Sequence, residues 1–173
     1  MKKILTILLS ASILVSCSDD FTEIDPIGSL SDAALQNATG VDLLLTGAYS
    51  VLDGIRNGGP GADWTKSGDN WWLDAISDDA HKGSTDGDQA DLLLIELFDW
   101  GSTNPYFEGR WQALFAGVNR ANAVIDLINN SADPSSFSVE LAQARFLRGH
   151  YNFELQRMWV NVPYISDENY AAS

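Results

Sequence analysis

The chain has 173 residues and is strongly acidic, with 24 Asp and Glu against 10 Lys and Arg and a formal net charge of -14. A surface of this charge repels phosphate backbones and anionic lipid headgroups. The composition therefore argues against nucleic acid as a partner and against membrane binding through basic side chains. Cys17 is the only cysteine, so no disulfide can form within the chain.

The N-terminus has the pattern of a bacterial lipoprotein signal peptide. Lys2 and Lys3 precede an apolar stretch over residues 4–15, which is shorter than the roughly 20 apolar residues that span a bilayer. Leu14-Val15-Ser16-Cys17 then has the small and aliphatic residues of a lipobox, ending on the cysteine that receives the lipid. We predict a signal peptide over residues 1–16 and lipidation of Cys17 with diacylglyceryl and palmitate groups.

A plain secretory signal, cut after Ser12 or Ser16, is the alternative. Cleavage after Ser16 would place the bulky Leu14 where the ordinary peptidase needs a small side chain. Cleavage after Ser12 would leave Cys17 without a role. The lipoprotein signal accounts for both observations.

Residues 17–38 have the composition of an acidic tether between the lipidated cysteine and the folded part. Carboxylates crowd the first half of this stretch, and Pro26 and Gly28 interrupt regular structure. Two acyl chains anchor a protein firmly where one chain holds only weakly. We therefore expect attachment to the membrane by lipid, without a transmembrane helix.

The first strong helix is predicted to follow Thr39, an N-cap residue type with Asp42 three positions later as its capping-box partner. Apolar residues recur at helical spacing as far as Ile55. Gly54 and the run Asn57–Gly61 are expected to end this helix.

Residues 57–90 are predicted to be irregular and rich in glycine. A long loop in a compact protein is usually functional or disordered, and the three tryptophans in this stretch argue against disorder. A short helix through Trp71–Ser77 and a short strand over Leu92–Leu97 are the regular elements that the pattern favours in and after the loop.

Two long helices follow and are predicted to form an antiparallel hairpin. Asn104-Pro105 supplies the cap and first residue of one helix, which stops at Asn129, and the other helix runs from Ser138 to Trp159. The second of these helices has two apolar stripes, one of Leu141, Ala144, Leu147, Tyr151, Leu155 and Met158 and another of Ala142, Phe146, Gly149 and Phe153. A helix that is apolar on two sides is normally packed between neighbours, as in tetratricopeptide arrays. The fold class expected is all-α, with tetratricopeptide-like helical hairpins and long irregular loops.

Several segments resemble the N-terminal region of the SusD/RagB family in their order and spacing. They are the lipobox with its acidic sequel, Leu45–Tyr49, Trp111–Ile125, Ala144–Leu155 and Val162–Pro163. The resemblance implies that residues 39–173 are the N-terminal part of a SusD-like α-superhelix. Because family members are much longer, the C-terminal part of that domain is expected to be missing.

The resemblance also implies a function and a location. It implies a lipoprotein of the cell outer membrane, facing the exterior, that binds glycans or other oligomeric nutrients and is not an enzyme. Its partner would be a SusC-like TonB-dependent transporter, to which it delivers the nutrient as a lid. Ser18-Asp19-Asp20 resembles the acidic stretch that directs such lipoproteins to the cell exterior. The alternative is a helical-repeat protein–protein interaction module without small-molecule binding.

The irregular loop holds the residue types that bind sugars. Aromatic faces stack on the apolar side of a pyranose ring, while polar groups hydrogen-bond its hydroxyls. The candidate ligand-binding residues are Trp64, Trp71, Trp72, Asp78, Asp79, His81 and Lys82. Adjacent residues on a helix point in different directions, so at least one of Trp71 and Trp72 is expected to belong to the core.

Catalysis and metal binding find little support in the pattern. Asp78-Asp79 are neighbours in sequence, whereas the two carboxylates of a glycosidase face each other across the scissile bond. Asp86, Asp88 and Asp91 do not fit an EF-hand, because Ala90 occupies a ligand position. Two histidines without a free cysteine make no zinc site. We therefore expect no metal, no cofactor and no enzymatic activity.

Overall fold

The computed structural model describes residues 32–54, 74–75, 77, 79–83, 85 and 87–170, and all regular structure within them is helical. The predicted all-α class is confirmed for this part of the chain. The signal peptide, Cys17 and most of the tether lie outside the described residues. The helices are α1 (Asp32–Leu35), α2 (Ala38–Ser50), α3 (Ala90–Glu96), α4 (Pro105–Asn129), α5 (Ser138–Met158) and α6 (Asp167–Tyr170), with 3-10 turns at Val51–Asp53 and Pro134–Phe137.

Helix α2 begins two residues earlier than predicted. Asn37 is its N-cap, and the Asn37 side chain accepts a hydrogen bond from the Gly40 amide at 3.0 Å. The predicted capping box of Thr39 and Asp42 is wrong, because the chain enters α2 through a tight turn from α1. A Cβ atom on Gly40 would lie only 2.1 Å from the Leu35 carbonyl oxygen, so this turn requires glycine.

The helix boundaries predicted from Gly54, Asn104 and Asn129 are confirmed. Gly54 follows the turn after α2 with a φ of 84°. Asn104 caps α4 by accepting a hydrogen bond from the Tyr106 amide at 3.0 Å. The Asn104 side-chain amide also donates to the Asp91 carbonyl oxygen at 2.8 Å, which joins α3 to the start of α4.

The segment Leu92–Leu97 is largely helical, so the predicted strand is wrong. Helix α3 buries Leu92 and Ile95, which lie three residues apart on one helical face. A short apolar run fits a buried strand and a buried helix equally well, and tertiary packing decides between them. Here the two side chains pack in a small cluster with Tyr106. The helix predicted over Trp71–Ser77 lies mostly outside the described residues.

Helices α4 and α5 form the predicted antiparallel hairpin. Arg110 near the start of α4 contacts Glu154 near the end of α5, and Asn122 further along α4 contacts the earlier Arg148. The Arg110 side chain is fully buried, and its Nη2 donates to Glu154 Oε2 at 3.0 Å. The paired numbers rise on one helix as they fall on the other, which establishes the antiparallel direction.

Tyr151 is the side chain at which α2, α4 and α5 meet. It is fully buried, and its ring lies so close to Gly117 of α4 that a Cβ there would come within 2.6 Å of the ring. The Tyr151 hydroxyl donates to the Ala48 carbonyl oxygen of α2 at 2.7 Å. Burial raises the pKa of Tyr151 to about 12, so the hydroxyl remains a donor at neutral pH. The surrounding buried residues are Val41, Leu45, Val51, Leu114, Val118, Ala121, Val124, Ile125, Leu127, Ile128, Ala144, Leu147 and Leu155.

Only one of the two apolar stripes of α5 is buried by the described residues. Ala144 and Leu147 lie in the core with Tyr151. In the second stripe, Phe146 is 72% exposed and Phe153 is 59% exposed. The described part of the chain therefore supplies no second layer of helices over α5.

Replacing Gly117 with alanine is expected to destabilise the protein by about 1–3 kcal/mol, the usual effect of overpacking a filled core. The added methyl group would collide with the Tyr151 ring and displace its hydroxyl from Ala48. Chemical denaturation followed by circular dichroism measures the change in the free energy of unfolding.

Gly47→Ala is the matched control for this experiment. It changes another helical glycine, but no atom lies within 4 Å of a Cβ at Gly47. This variant is expected to be neutral or to gain up to about 1 kcal/mol, because alanine favours helix over glycine. Equal losses in both variants would contradict the proposed role of the close approach between Gly117 and Tyr151.

Candidate functional site

The structure describes three of the seven predicted ligand-binding residues. Asp79, His81 and Lys82 lie in the segment that precedes α3. The other predicted residues, which lie outside the described part of the chain, are Trp64, Trp71, Trp72 and Asp78. The geometry of the site is therefore built from the segment at 79–83 and from α3 with the turn that follows it.

His81 and Lys82 are both held by Glu96, the last residue of α3. His81 Nδ1 hydrogen-bonds Glu96 Oε1, and the Lys82 amide donates to Glu96 Oε2 at 3.1 Å. The hydrogen bond with His81, followed by the one from the Lys82 amide, lowers the pKa of Glu96 below its usual value. Glu96 is thus an ionised acceptor at neutral pH that ties this segment to the end of α3.

The Lys82 ammonium group closes the turn that leads into α3. Its Nζ donates to the Thr85 carbonyl oxygen at 2.5 Å and to the Asp88 carbonyl oxygen at 2.6 Å. Asp79 is exposed, and its amide donates to the Ser77 hydroxyl at 3.1 Å. The structure therefore brings His81 and Lys82 together around one carboxylate, while Asp79 takes no part in that group of contacts.

An exposed aromatic cluster follows directly after Glu96 and was absent from the sequence prediction. Phe98 is 67% exposed and Trp100 is 40% exposed, with their ring centroids 5.7 Å apart. The rings of Trp100 and Phe107 form a T-shaped pair, with their centroids 6.1 Å apart. The signal for this cluster was the pair of aromatic residues Phe98 and Trp100, which lie directly after the strand predicted over Leu92–Leu97.

The backbone of the turn holds Phe98 in an uncommon conformation. Phe98 has a φ of 58°, in the left-handed region that large side chains rarely adopt. The turn is closed by hydrogen bonds from the Phe98 amide to Ile95 O at 3.1 Å and from the Asp99 amide to Leu94 O at 2.9 Å. Backbone strain of this kind costs about 1–3 kcal/mol per residue. It persists only where the surrounding contacts hold the residue in that conformation, and it is common at binding sites.

The polar and aromatic groups can supply the two contacts that a sugar needs. An exposed indole or phenyl face stacks on the apolar face of a pyranose ring, and a carboxylate and an imidazole accept or donate hydrogen bonds to its hydroxyls. Glu96 stands two residues before Phe98, so both kinds of group lie at the same end of α3. This end of α3 is the candidate functional site.

A separate cleft of about 370 Å³ lies between α1, α2 and α4, where Leu35, Leu44 and Asp126 are among its lining residues. The predicted ligand-binding residues that the structure describes do not line it. Among the residues that the structure describes, no helix is long and apolar enough to cross a bilayer. The same residues contain no group of three His, Cys, Asp or Glu side chains that could hold a metal ion.

A comparison with known protein families identifies the family of this chain. A family model described as "SusD-like_3: Starch-binding associating with outer membrane" matches residues 44–172. The chain belongs to the SusD-like_3 family. No curated protein matches the chain. The match runs from α2 to α6, so it contains both the hairpin and the candidate site of this SusD-like protein, and the predicted family resemblance is confirmed.

Glu96→Gln is expected to loosen the segment that carries His81 and Lys82. A neutral amide has one acceptor oxygen in place of two, so it cannot bind both partners as the carboxylate does. Hydrogen exchange of the Lys82 amide, measured by mass spectrometry, should accelerate several-fold, with no change in the core of α4.

The control is Glu108→Gln, which changes an exposed carboxylate that accepts a hydrogen bond from Gln112. This variant should leave the exchange of the Lys82 amide unchanged.

The contact of Glu96 with His81 and Lys82 should also depend on pH. Because the pKa of Glu96 lies below the ordinary value of 4.5, this contact is present above pH 4.5 and is lost as the pH falls further. Protection of Lys82 that is the same in wild type and Glu96→Gln at neutral pH would contradict the assignment.

Proposed function

We propose that this SusD-like protein is a lipid-anchored glycan-binding protein of the outer membrane, exposed to the exterior, which delivers glycan to a SusC-like TonB-dependent transporter. The observation that carries the proposal is the exposed pair of Phe98 and Trp100 next to the ionised Glu96, in a member of a starch-binding family. The sugar rings of a glucan have apolar faces that can stack on Phe98 and Trp100, and hydroxyl groups that can hydrogen-bond to Glu96.

A binding role fits the protonation state of Glu96 better than a catalytic role. A glycosidase needs a general acid whose pKa is raised, so that it holds a proton at working pH. The pKa of Glu96 is lowered by His81 and by the Lys82 amide. Glu96 can therefore accept hydrogen bonds from sugar hydroxyls without donating a proton to a glycosidic oxygen, in keeping with binding without turnover.

The N-terminal residues supply the anchor in this proposal. Cys17 carries the lipid after removal of residues 1–16, and residues 17–38 form the acidic tether to the helical domain at 39–173. A tethered body held by acyl chains can hinge over a transporter pore and remain attached to the membrane. In this proposal Trp64, together with whichever of Trp71 and Trp72 does not belong to the core, extends the glycan-binding surface.

A helical-repeat protein–protein interaction module is the second candidate function. The observation that favours it is the exposed stripe of α5 with Phe146 and Phe153, which has the size and spacing of a helix-packing surface. Unlike the first candidate function, this one involves no small-molecule binding, so the glycan titration described below distinguishes the two.

Trp100→Ala and Phe98→Ala are each expected to weaken glucan binding about tenfold, which corresponds to roughly 1.4 kcal/mol of lost stacking. The probe is maltoheptaose, titrated by isothermal calorimetry, and reducing-sugar analysis of the same samples should show no hydrolysis. Tyr164→Ala is the control, because it removes a 60% exposed aromatic ring that follows α5. Unchanged affinity in Trp100→Ala, or no binding by the wild type, would contradict the proposed site.

Cys17→Ala is expected to abolish labelling of the protein with radioactive palmitate and to remove it from the outer-membrane fraction, because no other thiol can accept the lipid. Ser18→Ala is the control, since it alters the next residue and keeps the thiol. A plain secretory signal predicts that neither variant changes fractionation. Normal recovery of Cys17→Ala in the outer membrane would therefore refute the lipoprotein assignment.

A further inference from the structure

The candidate site carries more negative than positive charge. Among the described residues between positions 79 and 99, one is a lysine and five are acidic, namely Asp79, Asp88, Asp91, Glu96 and Asp99. Each of the five acidic residues is exposed or half-buried. Their charges therefore act on the solvent next to the site, in a chain whose formal net charge is already -14.

Asp99 places one of these charges beside both aromatic residues of the site. It is exposed, and it lies between Phe98 and Trp100 in the chain, with its Cα about 3.8 Å from that of each neighbour. Its amide donates to the Leu94 carbonyl oxygen at 2.9 Å, which holds the backbone that carries the carboxylate. Among the salt bridges of the described residues, none involves Asp99. A sugar stacked on Phe98 or Trp100 would therefore lie next to this carboxylate.

The two basic residues of the site are engaged in contacts within the protein. The Lys82 ammonium group donates to the carbonyl oxygens of Thr85 and Asp88 at 2.5 and 2.6 Å. His81 Nδ1 hydrogen-bonds the Glu96 carboxylate. An acidic sugar would have to compete with these contacts before it could form an ion pair with either residue.

The negative potential extends from the end of α3 to the first turn of α4. Burial, and after it the nearby carboxylates of Asp91 and Asp88, raise the pKa of Tyr106 to about 12. The next residue, Phe107, forms the T-shaped pair with Trp100. The carboxylates that act on Tyr106 therefore lie in the same part of the fold as the aromatic cluster.

We propose that the site selects glycans by charge: it binds neutral glycans and rejects those that carry carboxylate or sulfate groups, and Asp99 is a residue that determines this specificity. The inference rests on the proposed glycan-binding function and narrows the class of glycan that the site accepts. A negatively charged sugar stacked on Phe98 or Trp100 would be repelled by Asp99 and by Glu96. Repulsion between exposed charges acts over about 10 Å at 0.1 M salt, which is enough to cross a sugar ring.

The test compares two ligands of the same length and linkage that differ in charge. Maltoheptaose is neutral, and oxidation of its primary alcohols to carboxylates gives an acidic heptaose. Calorimetric titration of the full-length protein, in a detergent without a sugar headgroup, measures both affinities at low and at high salt. The wild type should bind maltoheptaose at least tenfold more tightly than the oxidised heptaose at low salt. This ratio should fall several-fold at high salt, because salt screens the repulsion.

Two variants of Asp99 test the residue itself. Asp99→Asn removes the charge and keeps the size of the side chain, whereas Asp99→Lys reverses the charge. Relative to maltoheptaose, the affinity for the oxidised heptaose should rise about threefold in Asp99→Asn and at least about tenfold in Asp99→Lys at low salt.

Asp133→Asn is the matched control, because it also removes one negative charge. Asparagine keeps a side-chain oxygen to accept the hydrogen bond from the Ser135 amide, so the turn after α4 should be preserved. About 35 Å of helix separates Tyr106 from Asn129, and Asp133 lies beyond Asn129. The ratio of the two affinities in this variant should therefore equal that of the wild type.

The outcomes separate the charge selection from the function on which it rests. A wild type that binds neither ligand would overturn both. If the wild type binds maltoheptaose but binds the oxidised heptaose equally well or better, the charge selection is overturned and glycan binding stands. The same conclusion follows if the ratio of the two affinities changes neither with salt nor in Asp99→Lys.

Discussion

The packing of α2, α4 and α5 rests on the contact of Tyr151 with Gly117 and Ala48. The absence of a side chain on Gly117 lets α5 approach α4 closely, and the Tyr151 ring fills the space that this leaves. Its hydroxyl then reaches the Ala48 carbonyl and fixes the position of α2 against the hairpin. One buried residue thus sets the spacing of two helices and the position of a third. Because protein interiors are packed about as densely as organic crystals, no empty space is left to accommodate a larger side chain at position 117.

Polar contacts on either side of Tyr151 set the register of the hairpin. The buried pair of Arg110 and Glu154 lies towards one end, and Asn122 lies towards the other, where its side chain accepts a hydrogen bond from Arg148 at 2.9 Å. Asn122 also donates to the Ile165 carbonyl oxygen at 3.1 Å, which brings the chain after α5 back onto α4. Buried ionic pairs add little net stability because desolvation is costly, but a shifted register would leave these charges without partners.

The candidate site contains residues that sequence reasoning could select and others that it could not. His81 and Lys82 could be selected from residue type and from their place in a glycine-rich loop, and the structure brings both to Glu96. Phe98 and Trp100 could not be assigned to the surface, because a run of apolar residues next to buried positions reads equally well as core. Helix α3 buries Leu92 and Ile95 against Tyr106, while Phe98 and Trp100, in the turn after the helix, stay outside that cluster. Their exposure is therefore a property of the packing and not of the apolar run itself.

Local sequence was enough to specify the all-α class, the helix boundaries at Gly54, Asn104 and Asn129, and the two apolar stripes of α5. Those features depend on backbone conformation and capping within a few neighbouring residues, and on a periodicity that is visible in the chain. The N-cap of α2 at Asn37 depends on the short turn from α1, whose contacts with Ala34 and Gly40 lie only three residues away. Two other features were set by tertiary packing: that α3 is a helix, and which of the two stripes of α5 is buried. These outcomes depend on contacts between residues far apart in sequence, above all the fit of Tyr151 against α4, which no local pattern contains.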